Sequence, residues 1–376
     1  MSNLELKRPA LLLDREKCLN NIAFMAEKAK RHNLTLRPHF KTHQSAAISR
    51  WFREHGTRKI TVSSVIMAEY FAEEGWDDIC VAFPFNIHEI NDARRLAEKI
   101  RLHLTVCSAE ITQFISKAAM PETGIYIKTD TGYRRTGIEH ENTPEIDRIL
   151  EIIKKSKNLT FSGFLVHNGH TYQSPTPFDV KKIHSESNAR LLELKRRYIR
   201  EFAGLVLSTG DTPSCSISDD FTGIDEIRPG NYVFYDLSQC HTGSCIPSQV
   251  AVALAAPVVA KHPGRNELII YGGAVHLSKE HLVNDDGVKI WGQAARLLPN
   301  GRWTEPVPGA MVTKVSQEHG TITCDTGFFN QIAVGDFIVI FPVHSCLTAD
   351  LMRGYITTSG ERIDHISGNP PAVQEK

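Results

Sequence analysis

Lys41 closes the string Leu34-Thr35-Leu36-Arg37-Pro38-His39-Phe40-Lys41-Thr42-His43. An apolar, β-prone run ends there in basic residues, and a helix-compatible stretch over 45–55 follows directly. A lysine at the C-terminal end of a strand that feeds a helix enters the mouth of an α/β barrel, where that fold keeps its chemistry. Flanking positive charge and partial burial lower a lysine's pKa, and a neutral amine condenses with a carbonyl cofactor. Alone, the string is equally a solvated surface lysine.

Further clusters supply complementary chemistry. Lys128-Thr129-Asp130-Thr131-Gly132-Tyr133-Arg134-Arg135 offers a guanidinium fork for a phenolate or carboxylate, or a solvated turn. His167-Asn168-Gly169-His170-Thr171-Tyr172 holds two imidazoles, an amide and a phenol, dense for a loop without a function. His170 and Tyr172 are the acid–base candidates, and His39, His167 and Tyr172 are ring-contact candidates. Leu207-Ser208-Thr209-Gly210-Asp211-Thr212 has the hydroxyls and backbone N–H groups of a phosphate-binding loop, although an ordinary turn reads the same way. Arg228-Pro229-Gly230-Asn231 carries a glycine that lets a ligand approach the backbone, or simply turns the chain.

Val343-His344-Ser345-Cys346 puts an imidazole and a thiol two residues apart, on one face if the segment is extended. Nitrogen with thiolate favours zinc over the hard-oxygen metals. Glycine-rich or polar turns at 272–276 and 317–320 are further candidates for the same site. Cys240-His241 with Cys245 matches no structural zinc spacing and reads as a loop.

These residues need a scaffold, and the chain's rhythm supplies one. At 376 residues the chain is too long for a single ordinary core. Strand-like runs at 10–14, 34–39, 60–64, 79–83, 102–107, 124–129, 159–166 and 205–208 alternate with helical patterns. Those helices are expected at 17–32, 46–55, 66–74, 86–99, 109–119, 144–156 and 177–202. Such alternation builds parallel βαβ units, and eight strands suggest a closed (β/α)8 barrel of the TIM type; an open doubly wound sheet is the alternative. No Gly-x-Gly-x-x-Gly follows the first strand, which argues against a dinucleotide fold.

Beyond residue 240 the texture becomes strand and turn, with strands expected at 248–259, 267–271, 310–316, 320–325 and 336–341 and a weak helical signal at 290–296. The expected division is a barrel over 1–240 and an antiparallel β domain over 241–376. Lys plus Arg and Asp plus Glu balance at 43 each, which gives no electrostatic case for nucleic acid. No apolar run is long enough to span a bilayer, and the start lacks a signal-peptide core. Eight cysteines without a Cys-x-x-Cys pair read as reduced, buried thiols, and a cytoplasmic protein is expected.

Taken in order, the clusters resemble the fold-type III pyridoxal-phosphate enzymes, in particular the D-serine dehydratase and D-threonine aldolase family. The likeness covers nearly the whole chain, an alanine-racemase-like barrel followed by a β domain with a metal pair. The Arg37-Pro38-His39-x-Lys41-Thr42 string is its most specific motif, and the resemblance makes Lys41 the Schiff-base lysine. It places Arg135 near the cofactor phenolate and Thr209, Gly210, Gly230 and Asn231 at the phosphate. Arg228 falls at the pyridine nitrogen, and Tyr172 at cofactor or substrate. His344 and Cys346 follow the His-x-Cys pair of the dehydratases, whereas the aldolases carry His-x-Asp. The implied activity is elimination from a D-3-hydroxy amino acid to a keto acid, with pyridoxal 5'-phosphate and Zn2+ (alternatively Mn2+ or Mg2+). Retro-aldol cleavage to glycine and an aldehyde is the alternative, and a racemase or a non-catalytic cofactor carrier are further ones. A racemase needs a second acid–base tyrosine, for which Tyr355 is the late-chain candidate. The resemblance also implies a homodimer.

Overall fold

The computed structural model describes residues 4–284 and 286–366. The chain divides into two compact units, one built from 4–22, 42–51 and 231–366, the other from 23–41 and 52–230. A single cut at residue 240 does not describe this division. The N-terminal strand β1 (Ala10–Leu13) explains why. It pairs antiparallel with a C-terminal strand in the register Leu12 to Ala253, so the run 10–14 is not a barrel strand.

The second unit is the barrel. Its strands are β2 (Thr35–Leu36), β3 (Ile60–Val62), β4 (Asp78–Pro84), β5 (Arg101–Val106), β6 (Thr123–Asp130), β7 (Leu159–Leu165), β8 (Val206–Thr209) and β9 (Glu226–Ile227). Neighbours run parallel throughout, and β9 pairs with β2 in the register Glu226 to Thr35. An isolated bridge between His39 and Thr61 joins β2 to β3 and closes the ring. Strand β9 replaces the expected first strand. Two residues long and starting with a glutamate, it has no apolar run to announce it.

Helices lie where the 3.6-residue pattern put them. They are α1 (Arg15–Arg31), α2 (Ala46–Glu54), α3 (Val65–Glu73), α4 (Ile90–Ala97), α5 (Ala109–Lys117), α6 (Thr143–Lys155) and α7 (Pro177–Tyr198). Local chemistry fixes their starts: the side chains of Ser64, Ser108, Asn142 and Thr176 accept from the N–H groups of Met67, Ile111, Glu145 and Asp179. Two short helices follow, α8 (Thr212–Ile217) and α9 (Leu237–His241).

In the other unit six antiparallel strands close on themselves. They are β10 (Val252–His262), β11 (Glu267–Tyr271), β12 (Gly292–Arg296), β13 (Met311–Val315), β14 (His319–Thr323) and β15 (Phe337–Pro342). The order around the ring is β10-β11-β14-β13-β12-β15, and β1 continues the sheet beyond β10. Its core includes Leu254, Val258, Leu268, Ile270, Ile322, Phe328 and Ile340. The helix expected at 290–296 is instead β12. Its alanines at 294 and 295 are fully buried between neighbouring strands, and tertiary packing overrides their helical propensity. Helices α10 (Ala274–Leu277), α11 (Thr326–Gln331) and α12 (Ser345–Met352) complete the unit, with α10 packed against α12.

Candidate active site

Phe40 explains where Lys41 points. It is fully buried among Phe52, Phe71 and Trp76, with ring centroids 4.9, 5.0 and 5.2 Å away. The next residue along this single turn of 3-10 helix, Lys41, is left exposed at the C-terminal end of β2. Beside it, His39 donates its backbone N–H to the Pro229 carbonyl at 3.0 Å. Burial, reinforced by the charges of Lys41, Arg228 and Lys128, holds the His39 imidazole well below its usual range. His167 is held low by burial and by Lys128 and Lys41. Its Nδ1 lies 2.9 Å from the Gly210 carbonyl, an acceptor only, so Nδ1 carries the proton and Nε2 keeps its lone pair.

Beneath these residues runs a buried ionic chain. Arg37, 1% exposed, places Nε 2.7 Å from Glu226 Oε2 and Nη1 2.7 Å from Asp78 Oδ1. Burial opposes each charge. Arg37 nevertheless keeps Glu226 below the usual carboxylate range, while His103 and Arg37 do the same for Asp78. Ser208 links Glu226 to the fully buried Arg228, whose Nη2 also donates to the Val166 carbonyl at 2.5 Å. Lys128, 4% exposed on β6, is lowered to about 7 by burial and by Arg228 and Arg135. The sequence gives Arg37, Asp78, Lys128 and Glu226 no individual role. Lone charged residues in separate short strands give no signal until the barrel closes.

Thr209 is buried, and its Oγ1 has no partner among the described residues. Gly210 has φ +152°, and a Cβ there would come within 2.6 Å of the Arg228 backbone nitrogen. A buried hydroxyl without a partner, beside a backbone that admits no side chain, is the chemistry a phosphate cradle needs. The loop from Gly210 to Thr212 therefore fits the phosphate end of pyridoxal phosphate. The Tyr172 hydroxyl accepts from the Thr212 N–H at 3.2 Å. His170 stacks on Tyr133 (centroids 5.8 Å, planes 17°), and Arg135 lies 5.1 Å over the same ring from an exposed position.

In the other unit His344 and Cys346 meet, though not as an extended pair. His344 is the N-cap of α12, with φ −132° and ψ 100°, and Cys346 lies in the first turn. Against burial, Cys346 and Glu280 raise His344 to about 11, and His344 lowers the Cys346 thiol below its usual value. The start of a helix likewise favours the deprotonated form of a thiol placed there. Asn231 Nδ2 lies 3.3 Å from Cys346 Sγ and donates to Asp236 (2.8 Å) and Ser345 (2.9 Å). The side-chain amide is thus engaged with the residues around Cys346. Asp236 also accepts the Ser345 N–H at 2.9 Å and so fastens the start of α12. Thr42, one peptide bond beyond Lys41, places its hydroxyl 3.4 Å from the same sulfur. An imidazole paired with a thiolate is a fitting donor set for a borderline-soft divalent cation.

Tyr355 is fully buried, and its hydroxyl donates to the His43 carbonyl at 2.6 Å, which commits the proton a racemase would use. Cys240 and Cys245 lie at the end of α9 and in the loop after it, and all eight cysteines are free.

Residues 13–238 match the family model described as "Alanine racemase, N-terminal domain", and 251–358 match the "Putative serine dehydratase domain". A D-serine dehydratase of Dictyostelium discoideum is 29% identical, with 93% of each chain covered. A D-threo-3-hydroxyaspartate dehydratase of Delftia sp. is 28% identical over 94% of each chain. Its solved structure has a TM-score of 0.89 at 26% identity, covering 98% of this chain and 100% of that one. One solved form of that protein is a cysteine-to-alanine variant described as metal-free. A 3-hydroxy-D-aspartate aldolase of Paracoccus denitrificans is 24% identical, covering 97% of this chain and 92% of the relative. Barrel, β domain and full-length matches agree, and the chain belongs to the D-serine dehydratase and D-threonine aldolase family of fold-type III pyridoxal-phosphate enzymes.

Proposed function

We propose that this protein is a dehydratase that eliminates water from a D-3-hydroxy amino acid, releasing a keto acid and ammonia. The observation that carries the reading is the placing of His344 and Cys346 together at the start of α12, a nitrogen–sulfur donor set where the resemblance gives the aldolases a carboxylate. Pyridoxal phosphate, when bound, supplies an electron sink for Cα, and a divalent cation supplies Lewis acidity toward the 3-hydroxyl.

The chain's own residues do the rest. Lys41 would anchor the cofactor and would be the base for the Cα proton. Thr209 and the backbone around Gly210 hold the phosphate. Arg228 stays fixed beneath the site through Ser208 and Glu226. His39 and His167, held neutral, add no charge that would repel the lysine. Arg135 and Tyr172 flank the ring, and His170 is the remaining acid–base group. His344 and Cys346 would hold the cation, and a thiolate ligand would favour zinc over manganese or magnesium. A homodimer is the proposed assembly, and eight free cysteines favour a reducing, cytoplasmic setting; among the described residues no helix is long and apolar enough to cross a membrane.

The test is product analysis by proton NMR with D-serine, D-threo-3-hydroxyaspartate and D-threonine, zinc and cofactor present. Keto acid and ammonia are expected. Glycine with an aldehyde as the main products would make the protein an aldolase and sink the proposal.

A further inference from the structure

We propose that Glu280 is the positioning residue of the metal pair. Its carboxylate sets the orientation and tautomer of His344, so that Nε2 and the Cys346 sulfur together grip the cation. The inference rests on the reading of His344 and Cys346 as metal ligands and adds a third residue to it.

The geometry is direct. Glu280 Oε2 lies 2.5 Å from His344 Nδ1, across 64 residues of sequence. A carboxylate accepts only, so Nδ1 carries a proton in this contact. The other ring nitrogen, Nε2, is left as the one that could ligate a cation together with the Cys346 sulfur. A cation held by Nε2 and the sulfur would leave the Glu280 contact at Nδ1 unchanged. Metal-bound histidines commonly donate their second N–H to a carboxylate, which fixes the ring and makes the ligating nitrogen more basic.

The backbone around Glu280 looks built for this contact. Ser278, directly after α10, has φ +73° and ψ −179°, a conformation that costs a non-glycine residue on the order of 1–3 kcal/mol. Its side-chain Oγ accepts the Glu280 N–H at 3.1 Å, stabilising the turn that sends Glu280 toward His344. The next anchors follow at once: Trp291 Nε1 donates to the Lys279 carbonyl at 3.2 Å, and the His281 ring lies 5.5 Å from the Trp291 ring. Helix α10 packs on α12, which begins at His344. An incidental surface ion pair would need neither the strained turn nor its anchors.

The experiment is zinc titration of cofactor-loaded protein stripped with a chelator, read by competition with a fluorescent zinc indicator, for wild type, H344A, E280A and E280Q. Glu280 is more than half exposed, so both of its variants are expected to keep the wild-type Tm and cofactor absorbance. E280A is expected to lose about 10–100-fold in zinc affinity. E280Q, whose amide oxygen still accepts from Nδ1–H, should keep most of it. Unchanged affinity in E280A overturns the proposal. Equal loss in E280Q and E280A overturns it too, and makes Glu280 a direct ligand. H344A binding zinc as tightly as wild type would instead show that the metal-pair reading itself is at fault.

Discussion

The two units hold their reactive groups by opposite means. In the barrel, Lys41, Thr209 and Arg228 sit at the ends of parallel strands, and charges buried within the barrel fix their surroundings: Arg37 between Glu226 and Asp78, with Lys128 close by. In the β domain, His344 and Cys346 begin a helix and are held from outside by Asp236, Asn231 and Glu280, each far away in sequence. The barrel spends buried charge on rigidity. The β domain leaves its pair half open, with His344 about a third exposed and Cys346 partly buried.

The largest expected effect tests the barrel's side of this contrast. Lys41→Ala should reduce turnover by about 10^4-fold or more and remove the visible absorbance of bound cofactor. A retained band would mean another lysine holds the cofactor. Arg37→Met strands Glu226 and Asp78 in the interior, and unfolding by denaturant should show a loss of about 3–5 kcal/mol. A neutral result would reduce the ionic chain to ornament.

Lys128 gives the contrast a pH signature. Its folded pKa of about 7 lies below the ordinary lysine value, so the unfolded chain binds a proton that the folded chain refuses. Stability of the cofactor-free protein should therefore be fully present above about pH 10 and fall as the pH drops toward 7, by up to about 4 kcal/mol. Lys128→Met should flatten that slope. A wild-type curve already flat between pH 7 and 10 would place the lysine in water. Gly210→Ala should cost about 1–3 kcal/mol and weaken cofactor binding, measured by equilibrium dialysis, because its φ of +152° and the nearby Arg228 nitrogen leave no room for a methyl.

The same contrast governs what the sequence disclosed. Barrel helices and most strands were legible because a repeating unit writes its period into the chain. The exceptions are local in origin. Residues 10–14 look like any buried strand, and only pairing with Ala253 assigns them to the other sheet. Glu226–Ile227 is too short and too polar to read as a strand. In the β domain an alanine pair suggested a helix where neighbouring strands impose β12. The spacing of His344 and Cys346 suggests an extended segment, whereas the start of a helix brings them together. The side-chain amide of Asn231 bonds Asp236 and Ser345 beside Cys346, contacts that no local pattern announces. Glu280 had no local signal at all, since its meaning comes from a partner 64 residues away.

The most direct test of the account is keto-acid release from D-serine by chelator-stripped, cofactor-loaded enzyme as zinc is added back. We expect turnover to rise from near zero to saturation with zinc in the wild type. In Cys346→Ala it should stay near zero while the cofactor absorbance is unchanged. Zinc-independent turnover, or a Cys346→Ala variant as active as wild type, would contradict it.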